Sequence, residues 1–177
     1  MNENQKDTKI NIEKNRNFSK YPIILIIGIL IYIIIFFFFA LKRYHSAQIG
    51  DPDTSLFDQS FYTAYKYGLP FNNTFEYYNN FIGISHFGIH NSFIFYLILP
   101  FYSIYPSCIT LLILQCMAMG IGAVPVYLIA KDRLDQKTAL IFALMYLLYH
   151  PMHGVNYDQF NELSFSVAPL LFAVYFF

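Results

Sequence analysis

Apolar stretches alternate with polar or mixed segments along the chain, and their lengths are the first guide to its elements. Pro22 to Leu41 is Ile- and Phe-rich and contains no Asp, Glu, Lys, Arg or His. A helix of that length rises about 30 Å, the thickness of a bilayer hydrocarbon core. It exits through Ala40-Leu41-Lys42-Arg43, whereas a cleaved signal segment is shorter and closes on small residues. Cys108 to Ala130 is a second full-length stretch, in which Gly120, Gly122 and Pro125 allow close helix contact or a kink. Thr138 to about Met152 is a third, and Leu163 onward begins a fourth that stops at Phe177 in mid-helix. The pattern predicts an all-α polytopic membrane protein of about four transmembrane helices, at about 22–41, 106–130, 138–152 and 163–177, the last one truncated. On this reading the chain is the N-terminal portion of a transmembrane domain spanning 21–177, and it needs the remaining helices of a longer chain or a partner subunit.

The segments between the spans differ in character. Residues 1–20 are rich in Asn and Lys without apolar periodicity, which predicts a disordered tail. Residues 44–92 form a long first loop. Asp53-Thr54-Ser55 offers helix caps, and Leu56, Phe57, Phe61 and Tyr65 then recur at helical spacing. This predicts an amphipathic helix lying on the membrane surface and ending at Gly68-Leu69-Pro70. Phe93 to Ile104 is apolar but short and carries Pro100, which suits an interfacial or re-entrant piece better than a crossing. Pro151 to Glu162 reads as a second external loop.

Composition sharpens the membrane reading. Only 12% of residues are charged, about half the share of a soluble domain, and residues 77–130 contain no Asp, Glu, Lys or Arg. Lys6, Lys9, Lys14, Arg16 and Lys20 precede the first span, and Lys131, Arg133 and Lys137 follow the second. Placing both clusters inside leaves only Lys42, Arg43 and Lys66 outside. The positive-inside rule therefore predicts a cytoplasmic N-terminus, a multi-pass protein of the cytoplasmic membrane, and both long loops on the opposite face. No basic face with interleaved aromatics points to nucleic acid. Cys108 and Cys116 both lie in an apolar stretch and form neither a disulfide framework nor a metal pattern.

Ionisable residues gather at the predicted outer surface: Asp51, Asp53, Asp58, Glu76, His86, His90, His150, His153, Asp158 and Glu162. A carboxylate at the apolar boundary is partly desolvated, so its pKa rises and it can serve as a general base. Loops are also polar simply because they are wet, and that reading stands beside the first. His86 and His90 have the i, i+4 spacing of a zinc pair, but no Glu lies between them and Gly88 weakens the helix. Gln115 is a polar residue in mid-span and should bond across helices.

These pieces, taken in order, resemble a family of uncharacterised bacterial and archaeal membrane proteins, a domain of unknown function related to GT-C-type glycosyltransferases. The resemblance rests on Asp53-Thr54-Ser55-Leu56-Phe57-Asp58-Gln59, on His86-Phe87 followed by Pro100, Pro106 and Leu111 to Gln115, and on Gly122-Ala123-Val124-Pro125-Val126-Tyr127. The family's second loop usually reads Asp-Phe-His-Glu; here Gln159-Phe160-Asn161-Glu162 keeps Phe and Glu and loses Asp and His, with Asp158 adjacent. The resemblance implies transfer of a sugar from a lipid-linked, polyprenyl-phosphate donor at the outer membrane face, with membrane lipids as surroundings. It implies Asp53 as catalytic base with Asp58 second, and Gln59, His86, His90, Asp158 and Glu162 as substrate-binding residues. It names no certain cofactor; some relatives use a divalent metal, and the sequence leaves that open. Two other classes stay in view: a transporter or flippase-like carrier, and a non-catalytic fragment or assembly subunit.

Overall fold

The computed structural model describes residues 20–46, 53–75, 85–88 and 90–177. Asp51, Glu76 and residues 1–19 of the expected tail lie outside them. Among the described residues the chain is helical, with no strand beyond an isolated bridge between Asn72 and Ser85. The elements are α1 (Lys20–His45), α2 (Asp53–Tyr67), a 3-10 turn His86–Gly88, α3 (Ile94–Tyr102), α4 (Cys108–Ile121), α5 (Ala123–Arg133), α6 (Gln136–Leu147), α7 (His150–Tyr157), a 3-10 turn Glu162–Ser166 and α8 (Val167–Phe176).

Two helices are long and apolar enough to cross a membrane: α1, and α4 with α5 as one 26-residue rod, Cys108–Arg133. The α6–α7 pair counts as a third only if its 44° bend is read as a broken span. By length and composition, two to three spans are found among the described residues against the four expected. Glu162–Phe176 is apolar but shorter. The helix over the expected 138–152 span ends at Leu147, and a second helix, His150–Tyr157, takes up much of the Pro151–Glu162 segment expected as loop. Pro151 explains the change: in the first turn of α7 it needs no N–H partner and starts a new helix at an angle. Helix α3, with Pro100 inside, has nine residues and rises only about 14 Å, too little to cross.

Helix α1 packs on α4 and α6, and α5 packs on α6. The outward side of α1 is a continuous apolar surface, from Ile23, Ile26 and Ile27 to Phe38 and Phe39. In water that exposure would be costly; against lipid tails it is not. The helix contacts use small residues. A Cβ on Gly120 would stand 3.3 to 3.4 Å from Ile33, Ile29 and Tyr32 of α1. At Gly122, between α4 and α5, a Cβ would run into the Tyr146 hydroxyl, which donates to Met119 O at 2.8 Å.

Antiparallel α1 and α4–α5 stack two cores end to end. One joins Leu25, Ile29 and Tyr32 to Met119, Ala123, Tyr127, Ala139 and Ala143. The other joins Ala40, Cys108, Leu111 and Leu112 to an aromatic cluster of Phe61, Phe71, Phe95, Tyr102 and Phe160. This second core, at the loop end of the bundle, carries the residues with chemical potential.

Candidate functional site

Helix α2 is built as the spacing predicts, but its buried face is rotated. Phe57 and Phe61 pack inward while Tyr65 is 45% exposed. Thr54 and Ser60 are buried in its place, because each has a loop partner. Thr54 Oγ1 accepts the Phe160 N–H at 3.1 Å, and Asn73 Nδ2 donates to Ser60 Oγ at 2.9 Å. The helix ends where Gly68 turns left-handed (φ +66°), with Leu69 N donating back to Thr63 O. Phe71 also has positive φ, +55°, a strained setting for a bulky residue. Its ring is buried against Phe61 and Phe95, and its carbonyl accepts the His86 N–H at 3.0 Å. Packing over-determines this corner, and the corner fixes His86.

The first loop and the segment 158–162 meet. Gln159 Nε2 donates to Asp53 Oδ2 at 3.3 Å, and Phe160 inserts between Phe57 and Phe61, with ring centroids at 5.1 and 6.4 Å. The segment is held from below by Gln115, which is 1% exposed. Its Nε2 donates to Val155 O (2.9 Å) and Gln159 O (3.0 Å), and its Oε1 accepts the Asn161 N–H at 2.6 Å. Val155 lies in the last turn of α7, where carbonyls lack intrahelical partners. Gln115 thus caps α7 from another helix. The expectation that Gln115 bonds across the bundle is met, with backbone as its partner.

Each expected site residue has a distinct setting. Asp53 sits in the first turn of α2, half-buried beside Gln159. Asp58, one and a half turns on, receives the Tyr102 hydroxyl at 2.7 Å. Burial pushes its carboxyl above the usual range, and the hydrogen bond from Tyr102 offsets part of that. Gln59 accepts from the backbone and side chain of Thr74 at 2.9 and 3.0 Å. It therefore anchors the loop.

His86 is 4% exposed and stacks on Phe95 at 4.7 Å. Burial, helped by the neighbouring His90, drives its pKa down to about 4, so the ring is neutral at pH 7. Its Nε2 lies 3.2 Å from Ser92 Oγ, which donates to Glu162 Oε1 at 3.3 Å. His90 is exposed, with its ring 5.1 Å from that of His86. Only His86 lies on the 3-10 turn His86–Gly88, and His90 follows it outside any helix, so the pair does not sit on the α-helical face that i, i+4 spacing presumes. Asp158 is exposed, 3.9 Å from the Arg43 guanidinium, which lies over the Tyr157 ring at 4.5 Å. His150 and His153 belong to α7. His153 pairs its Nε2 with Leu147 O at 2.7 Å and packs on Phe36 of α1, so it is used structurally.

Among the described residues, no group of three or more His, Cys, Asp or Glu is placed to hold a metal ion. Two clefts flank the 158–162 segment. One, of about 280 Å³, is lined by Asp158, Gln159 and Asn161. The other, of about 330 Å³, is lined by Ser92, Glu162 and several apolar side chains. Sequence reasoning missed Tyr102 and Ser92, and also Asn156, whose Nδ2 donates to Tyr32 OH at 2.8 Å and ties α7 to α1. Nothing in their local pattern marks them, since each matters through a partner distant in sequence.

No curated protein and no solved structure matches the chain. A family model does, over residues 43–177, most of the chain and all of the site just described. With its apolar helices and its match to that model, the chain belongs to DUF2079, a family of predicted membrane proteins.

Proposed function

We propose that this chain supplies the reacting surface of a GT-C-type glycosyltransferase that takes a sugar from a polyprenyl-phosphate donor at the non-cytoplasmic face of the cytoplasmic membrane, with its N-terminus inside. The observation that carries the reading is the joining of the two acidic loops. Asp53 of the first loop hydrogen-bonds Gln159 of the second, at the end of the bundle where amphipathic α2 lies against the spans. A lipid-linked donor is met at the edge of the bilayer, so its reacting carbon must be approached from interfacial elements of this kind.

In the proposed step the Asp53 carboxylate accepts the proton of an acceptor hydroxyl. That oxygen attacks the anomeric carbon, whose charge becomes oxocarbenium-like. The carbon–oxygen bond to phosphate breaks, and polyprenyl phosphate leaves with the electron pair. The configuration inverts. Asp58 is the second choice as base, because Tyr102 already engages its carboxylate. Arg43, at the end of α1 beside Asp158, places a cation at the same end of the bundle, where a phosphate needs one.

Asp53→Asn in the full-length protein should abolish sugar transfer to membrane acceptors while leaving expression and folding intact. Undiminished transfer removes Asp53 from the role. Sided maleimide labelling tests the placement: Ser55→Cys and Asp158→Cys should both react from outside sealed cells. Reaction from opposite faces rules out a shared chamber.

A further inference from the structure

The larger cleft beside the 158–162 segment has an unusual floor. Ser92 is 8% exposed, and its hydroxyl has a single proton, which goes to Glu162 Oε1. His86 Nε2 must then carry its own proton and donate to Ser92 Oγ. The result is a directed chain, His86 to Ser92 to Glu162, that ends on a carboxylate at the cleft wall. Buried hydrogen-bond chains polarise along their length, and this one orients Glu162 and fixes its position. Asn91 and Ser166 add polar groups to the same wall, and Phe93 and Phe165 supply aromatic faces.

We infer that this cleft is a subsite for an uncharged, hydroxyl-rich moiety, a sugar ring of donor or acceptor, and that it excludes phosphate. The electrostatics carry the distinction. A phosphate beside Glu162 would meet a negative charge, and among the described residues the lining offers no Lys or Arg against it. The neutral His86 cannot compensate, since burial keeps its ring uncharged. Sugar hydroxyls, by contrast, donate to the Glu162 carboxylate and to Ser166 Oγ, whose own proton goes to Leu163 O, and accept from the Asn91 amide, while the apolar ring face packs on Phe. Arg43 stands beside Asp158 and is not among the residues lining this cleft. This inference rests on the glycosyltransferase reading for its biological sense, but binding can be tested without turnover.

Residues 1–177 contain no Trp, so Phe93→Trp adds an indole at the cleft rim. The full-length protein carrying it, in phosphatidylcholine nanodiscs, is titrated with the methyl glycosides of glucose, mannose, galactose and N-acetylglucosamine, and separately with methyl phosphate, and the signal is read as the difference from the protein without the substitution. At least one glycoside should give a saturable fluorescence change, and methyl phosphate should give none. Glu162→Gln should weaken glycoside binding at least tenfold. Ser92→Ala, which keeps the carboxylate but cuts its support, should weaken it less. The inference is overturned by methyl phosphate binding as tightly as any glycoside, by no glycoside binding, or by both variants binding like the parent. Asp53→Asn separates the two claims. If it abolishes transfer and no glycoside binds, the subsite alone falls; if transfer survives while glycoside binding holds, the catalytic reading falls and the subsite stands.

Discussion

Replacing Gln115 with Leu should loosen the 158–162 segment without dismantling the helices. The side chain is buried in mid-helix and makes hydrogen bonds to Val155 O, Gln159 O and the Asn161 N–H. Leucine fills a similar volume, so packing is roughly conserved while all three backbone groups lose their partner. Two of those bonds, to Gln159 O and the Asn161 N–H, hold the segment itself; at about 1 kcal/mol net per bond, its closure should weaken by about 2 kcal/mol. At 1.4 kcal/mol per decade, that is about a thirtyfold rise in its open population. Ser164→Cys is a suitable reporter: Ser164 is 4% exposed and sits on the 3-10 turn that follows the segment. With Cys108 and Cys116 changed to Ala, maleimide labelling of Cys at 164 should accelerate by about that factor under conditions where reclosing outpaces labelling. A change below about threefold, equivalent to about 0.7 kcal/mol, would falsify the claim that Gln115 fastens the second loop.

The other predictions concern single contacts. The raised pKa of Asp58 means that the folded state holds its proton more tightly than the unfolded chain does. Its contribution to stability is therefore complete below the usual Asp pKa and declines as pH rises through the raised value. Asp58→Asn should remove that slope from thermal melts between acid and neutral pH, and Tyr102→Phe, which takes away a bond to the charged form, should shift the slope to higher pH. Gly122→Ala should cost about 1–3 kcal/mol in melting experiments, because its Cβ displaces the Tyr146 hydroxyl from Met119 O. Adding Tyr146→Phe should then cost less than it does alone, and strict additivity would refute the clash. Asn156→Leu should destabilise the packing of α7 on α1 by leaving the buried Tyr32 hydroxyl without its donor, measurable as a lower melting temperature in detergent.

Much of the architecture is legible in the order of residues, for reasons that are local. The charge-free run of α1 and the Gly/Pro-bearing run of α4–α5 announce themselves by length and hydropathy. Helix α2 follows from apolar spacing, and its end from Gly68. The third apolar run deceives because hydropathy ignores direction. Residues 138–152 are apolar enough to continue as a helix, yet the chain breaks at Leu148–Tyr149 and restarts at a 44° angle with Pro151 in the new first turn. The rotated face of α2 was equally hidden, since Thr54 and Ser60 are polar and read as outward until Phe160 and Asn73 arrive as partners.

The candidate site divides along the same line. Its residue types and their position near the apolar boundary belong to the sequence: Asp53, Asp58, Asp158 and Glu162 lie in loops because membrane interiors tolerate few charges. Which of them touch what was decided by the fold. Only packing could pair Asp58 with Tyr102, bring Gln159 to Asp53, or run a hydrogen-bond chain from His86 through Ser92 to Glu162. Hydrophobicity is a property of each residue in turn and survives in a string of letters. A hydrogen bond between residues some seventy or a hundred positions apart exists only once helices have closed the distance.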